Sequence, residues 1–157
     1  MRDNLKHSAP LEKNKMPEDT NQIASLGTIG ENLAAKYLVN QGYRLIMRNF
    51  TAPIGRNKNG ALIHGEIDLI ALDGETLCFI EVKSRSKDDL ADPIANVDLR
   101  KKRAITRTSK VYRRIFGLES TKVRFDAISI VFHQDKPQIT LFKDFWLEKK
   151  FRAKVRI

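Results

Sequence analysis

Cysteine is nearly absent: the 157 residues contain one, Cys78. That excludes an internal disulfide and a zinc cluster built on thiolates. Histidine does not fill the gap, because His7, His64 and His133 are too scattered for a recognisable zinc-binding spacing. Long apolar runs are missing as well. None approaches the ~20 residues that cross a bilayer, and Met1 to Thr20 mixes Lys, Glu, Asp, Asn and Pro with no apolar centre of the kind a signal peptide carries. These absences point to a reducing, cytoplasmic setting without a membrane partner. The length suits one domain, which buries roughly 70% of its unfolded surface and stands without staples.

Acidic residues are also in short supply, 19 against 29 Lys and Arg, for a formal charge of +10. The excess is local. Residues 1–22 carry four basic and four acidic side chains, whereas residues 98–114 hold eight Lys or Arg against Asp98 alone, and residues 143–157 hold six against Asp144 and Glu148. The basic set Arg85, Arg100, Lys101, Arg103, Arg107, Lys110 and Arg114 is a candidate surface for nucleic acid phosphates. A solvated helix face with a basic tail that aids solubility would have the same composition.

Along the chain, residues 1–22 are polar, contain Pro10 and Pro17 and lack periodicity, which predicts a disordered leader. A domain over 23–146 and a basic tail over 147–157 follow. Ile23, Leu26, Gly30, Leu33, Ala34, Tyr37 and Leu38 recur at helical spacing, and Gly42 ends that helix near Asn40. Glu31 lies at the edge of its apolar face. Tyr43 to Phe50 reads as a strand, Thr51 to His64 as a flexible loop or an extended hairpin tip, and Glu66–Leu72 and Thr76–Lys83 as two strands about Asp73-Gly74. Asn96 can cap a helix running to about Phe116, and Val123–Phe132 and Gln138–Phe142 read as two more strands. The order α-β-β-β-α-β-β describes an α/β fold, a mixed sheet of about five strands flanked by helices, with a crossover between Lys83 and Val123.

Three carboxylates in a core hairpin need compensation, because a buried unpaired charge is strongly disfavoured. Strand alternation puts Glu66, Asp68, Ile70 and Leu72 on one face, and Leu77, Phe79, Glu81 and Lys83 on one face of the next strand. A two-residue turn of Asp73 and Gly74 pairs Glu66 with Glu81. A four-residue turn, Asp73 to Thr76, sets Asp68 opposite Glu81. Both registers bring Asp68, Glu81 and Lys83 to one side, and a three-residue turn would separate them. Carboxylates at cross-strand distances of ~5 Å can share a divalent cation, and oxygen-only ligation suits Mg2+ or Mn2+. Lys83 could then orient an attacking water or stabilise a phosphorane-like transition state. Exposed residues in weak surface ion pairs would give the same spacing. Glu66 could hold a second ion, though hydrogen bonding at the strand start is the favoured role. Arg85 has the parity of Lys83. Asp126 is read as an arginine partner, Trp146, Phe142 and Phe145 as packing residues, and Cys78 as a buried small hydrophobe.

Gly27-Thr28-Ile29-Gly30-Glu31, Arg48-Asn49-Phe50, Gly65-Glu66-Ile67-Asp68-Leu69-Ile70, Phe79-Ile80-Glu81-Val82-Lys83-Ser84-Arg85 and Arg124-Phe125-Asp126 together resemble the YraN family. These are small bacterial proteins with a restriction-endonuclease-like fold of the PD-(D/E)xK superfamily, similar to archaeal Holliday junction resolvases. The resemblance spans about Leu26 to Phe142. It implies that Asp68 and Glu81 are metal ligands, with the Val82 main-chain carbonyl as a third. It further implies that Lys83 is the catalytic lysine and that Glu31 completes the site from the first helix. The sequence departs from the family pattern in its long leader, in the extended stretch before Gly65, and in Ile67 where the superfamily motif has proline.

The expectation from residues and resemblance together is a metal-dependent nuclease that hydrolyses DNA phosphodiester bonds, in preference to RNA, in branched or damaged DNA. A homodimer is expected if two symmetric strands are cut. The alternative is a catalytically silent nucleic-acid-binding protein on the same fold.

Overall fold

A helix, a three-stranded meander, a second helix and a closing hairpin follow one another in the computed structural model, which describes residues 25–87, Ile94 and 97–148. The elements are α1 (Leu26–Asn40), β1 (Arg44–Arg56), β2 (Leu62–Asp73), β3 (Thr76–Ser86), α2 (Leu99–Ile115), β4 (Val123–Phe132) and β5 (Gln138–Trp146). This is the α/β order read from the sequence. The leader over 1–22, Ile23, Asn96 and the tail beyond Glu148 lie outside the described residues. Among those described, no helix is long and apolar enough to cross a membrane.

Local chemistry sets the element ends. Ser25 caps α1, its Oγ accepting the Thr28 N–H at 3.2 Å, and Gly42 leaves the helix at φ +87°. The α2 cap is Asp98, whose carboxylate accepts the Lys101 N–H at 2.8 Å. This corrects the Asn96 reading. Both residues have capping chemistry, but the chain is still extended at Asp98, with ψ at 171°. The stretch after Phe50 is the hairpin alternative, since β1 continues to Arg56 and pairs with a β2 that begins at Leu62.

The sheet order is β1-β2-β3-β4-β5, with only the β3–β4 pair parallel. One face packs on α1 through Ala34, Leu38, Leu69, Ala71, Cys78, Ile80, Ile128 and Ile130. The other packs on α2 through Ile67, Ile70, Phe79, Ile105, Tyr112, Phe125 and Trp146. Cys78 is fully buried, and burial pushes its thiol pKa up to about 12, so it behaves as a small hydrophobe. Trp146 stacks on Phe125 and donates from Nε1 to Thr106 Oγ1 at 3.1 Å, which makes it a packing residue.

At the turn end of the sheet one arginine gathers four segments. Arg124 bonds both oxygens of buried Asp126, and its Nη2 reaches Tyr43 Oη and Asp73 Oδ2, each at 2.9 Å. Asp126 Oδ1 also accepts the Asp144 N–H at 2.9 Å, so the expected arginine partner of Asp126 is Arg124. Helix α2 and the sheet approach closely at Gly65, where an added Cβ would collide with Thr108 Oγ1. Gly65→Ala should destabilise the protein by roughly 1–3 kcal/mol in urea unfolding. Adding Thr108→Ala should recover part of that loss, and a strictly additive pair of effects would refute the contact.

Candidate active site

Asp73 pairs with Thr76, Leu72 with Leu77 and Ile70 with Phe79, so the turn residues are Gly74 and Glu75. Positive φ falls on Gly74 alone of the two, at +59°, the pattern of a type II′ turn. This is the register of the longer-turn alternative, and it carries Asp68 opposite Glu81. The ladder, however, stops at Leu69 and Ile80. Where the next main-chain bond would form, the Val82 N–H donates instead to Asp68 Oδ2, at 2.7 Å. Beyond this point β2 pairs with β1 and β3 with β4, so the two central strands fork with Asp68 and Glu81 at the notch.

A kink accompanies the fork. Ile67 and Ile70 both join the cluster beneath α2, while Leu69 and Ala71 face α1, so the two-residue alternation slips by one place at Asp68. Across from it, between the Arg48↔Leu69 and Phe50↔Ile67 pairs, Asn49 takes φ +50°, a conformation asparagine tolerates better than most residues. Glu66 is exposed and forms no ion pair among the described residues, although its charge acts on Lys101.

Glu81 is 1% exposed and Asp68 8%. Lys83 Nζ lies 2.9 Å from Glu81 Oε1, and Lys101 Nζ, from the first turns of α2, lies 3.3 Å from Glu81 Oε2. The second contact is an ion pair without hydrogen-bond alignment, and Oε2 stays buried with no hydrogen-bond partner. Burial works against the charged Lys101, yet Glu81 and then Asp68 outweigh it and hold its pKa above the ordinary lysine value. The Asp68 pKa rises too, but for an acid this disfavours the charged form. Burial first and the Glu81 charge second push its pKa up to about 7, against the lowering pull of the Val82 N–H and Lys101.

A family model described as "Uncharacterised protein family UPF0102" matches residues 30–130, the span that contains this cluster. The chain belongs to the UPF0102 family. It is the YraN family of the sequence resemblance. A UPF0102 protein of Chlorobium chlorochromatii is 40% identical over 136 residues, covering 82% of this chain and 97% of that one. One of Koribacter versatilis is 35% identical over 133 residues, covering 84% and 87%. A solved structure described as "Crystal structure of SSO0001" aligns over 80% of this chain and 54% of its own length, at 17% identity and a TM-score of 0.34, too low to assign a common fold.

Within this UPF0102 chain the expected residues divide into those the fold gathers and those it does not. Asp68, Glu81 and Lys83 converge. Glu31 is half-buried in α1, beside Gly30, where an added Cβ would collide with Ser84, and it has no bond to the carboxylates. Among the described residues, no three Asp, Glu, His or Cys side chains converge as a ready-made metal cluster. What is present suits magnesium or manganese, which bind through one or two carboxylates and keep several waters. Asp68, Glu81 and the Val82 carbonyl, which shares its N–H's direction toward β2, supply oxygens alone, and Glu81 Oε2 is an unsatisfied buried acceptor.

Arg100, Arg103, Arg107 and Arg114 are exposed and Lys110 half-exposed along one ridge of α2, at spacings of three and four. Lys101 leaves that ridge for Glu81. Sequence periodicity missed this, although its signal was available: Lys101 falls in the first turns of α2, one turn from the apolar position Ile105. Arg85 is half-buried at the end of β3, with its Nε unpartnered.

The raised Asp68 pKa has a sign that can be measured. The folded state holds this proton more tightly than the unfolded chain, whose value is 3.8. Stability from this residue is therefore complete below about pH 4 and lost as pH rises through about 7. In metal-free buffer Asp68→Asn should melt about 3 °C or more above the wild type at pH 8, with the difference vanishing near pH 4. An unchanged or lower melting temperature at pH 8 would contradict the burial and repulsion described above.

Proposed function

We propose that this protein is a metal-dependent nuclease of the PD-(D/E)xK kind, acting on DNA phosphodiester bonds. The observation that carries the reading is the Asp68 carboxylate lodged at the strand fork, bonded to the Val82 N–H and facing Glu81 and Lys83. Such a site concentrates negative charge at the cost of folding stability, and a purely structural sheet has no need of it.

Asp68, Glu81 and the Val82 carbonyl would hold magnesium or manganese. The bound ion would supply Lewis acidity, offsetting charge on a phosphate and acidifying water. The chain's own groups do the rest. The Val82 N–H fixes the orientation of the Asp68 carboxylate. Lys83, on the face of Glu81, brings a positive charge to the place where a phosphate oxygen gains negative charge, and can orient a water for in-line attack. Lys101 approaches from α2 and balances the second oxygen of Glu81. The ridge from Arg100 to Arg114 gives phosphates of a bound strand several cationic partners. Cutting both strands of a symmetric junction would call for two copies of the chain.

A second reading, binding without turnover, draws on one feature: Lys83 and Lys101 both engage Glu81, so the acid is already compensated by the chain's own ammonium groups.

The two readings separate in one experiment. Purified protein is incubated with duplex, single-stranded and four-way-junction DNA in Mg2+ or Mn2+, beside Asp68→Asn and Lys83→Ala. The nuclease reading expects cleavage by the wild type and a loss of about a hundredfold or more in each variant. It also expects Mg2+ to raise the melting temperature of the wild type and not of Asp68→Asn. Binding with no cleavage in either metal would favour the second reading. Equal residual cleavage in all three proteins would mark a contaminant.

A further inference from the structure

The tip of the β1–β2 hairpin, residues 55–64, forms an arm that takes no part in the core. Every residue from Gly55 to His64 is exposed, including the apolar pair Leu62 and Ile63 at 51% and 42%. The arm strands pair only with each other, Pro53 with His64, Gly55 with Ile63 and Arg56 with Leu62. β2 joins β3 only from Leu69 onward, and the arm lies further out along the same strand, beyond Ile67 and Gly65, which pack against α2. At ~3.4 Å per residue, His64 stands about 14 Å along β2 from Asp68.

The tip is tied. Asn57 N–H donates to the Ala61 carbonyl at 2.9 Å, and Gly60 N–H to the Asn57 carbonyl at 3.0 Å. Asn57 Oδ1 accepts from the Asn59 and Ala61 N–H groups, each at 2.9 Å, and Arg56 Nη1 donates to the Gly60 carbonyl at 2.6 Å. A lone two-stranded ribbon is marginal in water, so these bonds keep an otherwise unsupported element in shape. Its charge has one sign. Between Arg44 and Gly65 there is no Asp or Glu, while Arg44, Arg48, Arg56 and Lys58 are basic.

We propose that this arm is a DNA-binding ribbon that enters the major groove of B-form duplex beside the cleft and sets the site on double-stranded rather than single-stranded DNA. The inference rests on the nuclease reading of the Asp68–Glu81 cleft. A two-stranded ribbon fits the ~12 Å major groove of B-DNA, where thymine methyl groups can cover Leu62 and Ile63. The deep, narrow major groove of A-form RNA does not admit it, which makes DNA the partner. Arg56 and Lys58 lie where the flanking phosphates run.

Two variants test the arm in the Asp68→Asn background, which prevents cleavage during titration. Lys58→Glu touches none of the tip's hydrogen bonds, and replacing residues 56–62 by Asn-Gly removes the tip while keeping a turn that closes the ribbon. Fluorescence anisotropy then compares duplex DNA, single-stranded DNA of the same sequence and duplex RNA. Lys58→Glu should weaken duplex DNA binding about tenfold and flatten the salt dependence by about one contact. The shortened arm should lose more, single-strand binding should change less than about threefold, and duplex RNA should bind more weakly than duplex DNA. Unchanged duplex affinity in both variants would overturn the arm and leave the nuclease reading standing, and so would an equal loss on single strands. A shift from dimer to monomer with DNA binding intact would make the arm a self-association element instead. Failure of the unshortened protein to bind any nucleic acid would sink both.

Discussion

The bond from the Val82 N–H to the Asp68 carboxylate sits where a main-chain carbonyl would otherwise be. A side chain in that place ends the β2–β3 ladder without leaving the donor unsatisfied, which matters because an orphaned buried N–H costs about 1–3 kcal/mol. The remaining features of the cleft follow from the substitution. The strands separate, the alternation slips at Asp68, Asn49 takes up a left-handed conformation, and Glu81 faces a notch instead of a neighbouring strand. The chain's motif and its irregular backbone are thus one feature viewed at two scales.

Charge compensation at the notch is asymmetric. Glu81 draws two ammonium groups, one from its own strand and one from α2, whereas Asp68 has a main-chain N–H and the more distant field of Lys101. Proximity of the two acids then falls mainly on Asp68, whose proton is held to near-neutral pH. α2 has three roles in consequence. Its first turns feed the cleft, its buried positions Ile105 and Tyr112 hold the sheet, and its outer ridge presents arginines to solvent.

Much of this was legible in the residues. Element order, the helix at Leu26–Asn40, the crossover helix and the convergence of Asp68, Glu81 and Lys83 follow from periodicity and strand parity. Parity arguments could not see the slip at Asp68, because a kink made by a side-chain-to-backbone bond leaves no period in the sequence. Strand parity alone therefore does not fix where Glu66 stands relative to Asp68. Composition places Lys101 with the other basic residues of α2, since it does not tell a phosphate-facing lysine from one that folds back on a buried acid. The stretch after Phe50 was ambiguous because Pro53, Gly55 and Gly60 suit a loop and a bulged, tightly turned ribbon equally well. Side-chain bonds at Asn57 and Arg56 decide it, and they depend on conformation rather than composition.

The Arg124 network lies at the end of the sheet opposite the fork. β2 and β3 are therefore fastened to each other only on the Arg124 side of the notch, and beyond it each is held by a different neighbour, β2 by β1 and α2, β3 by β4. The width of the cleft is thus set by two separate packing contacts rather than by a bond across it.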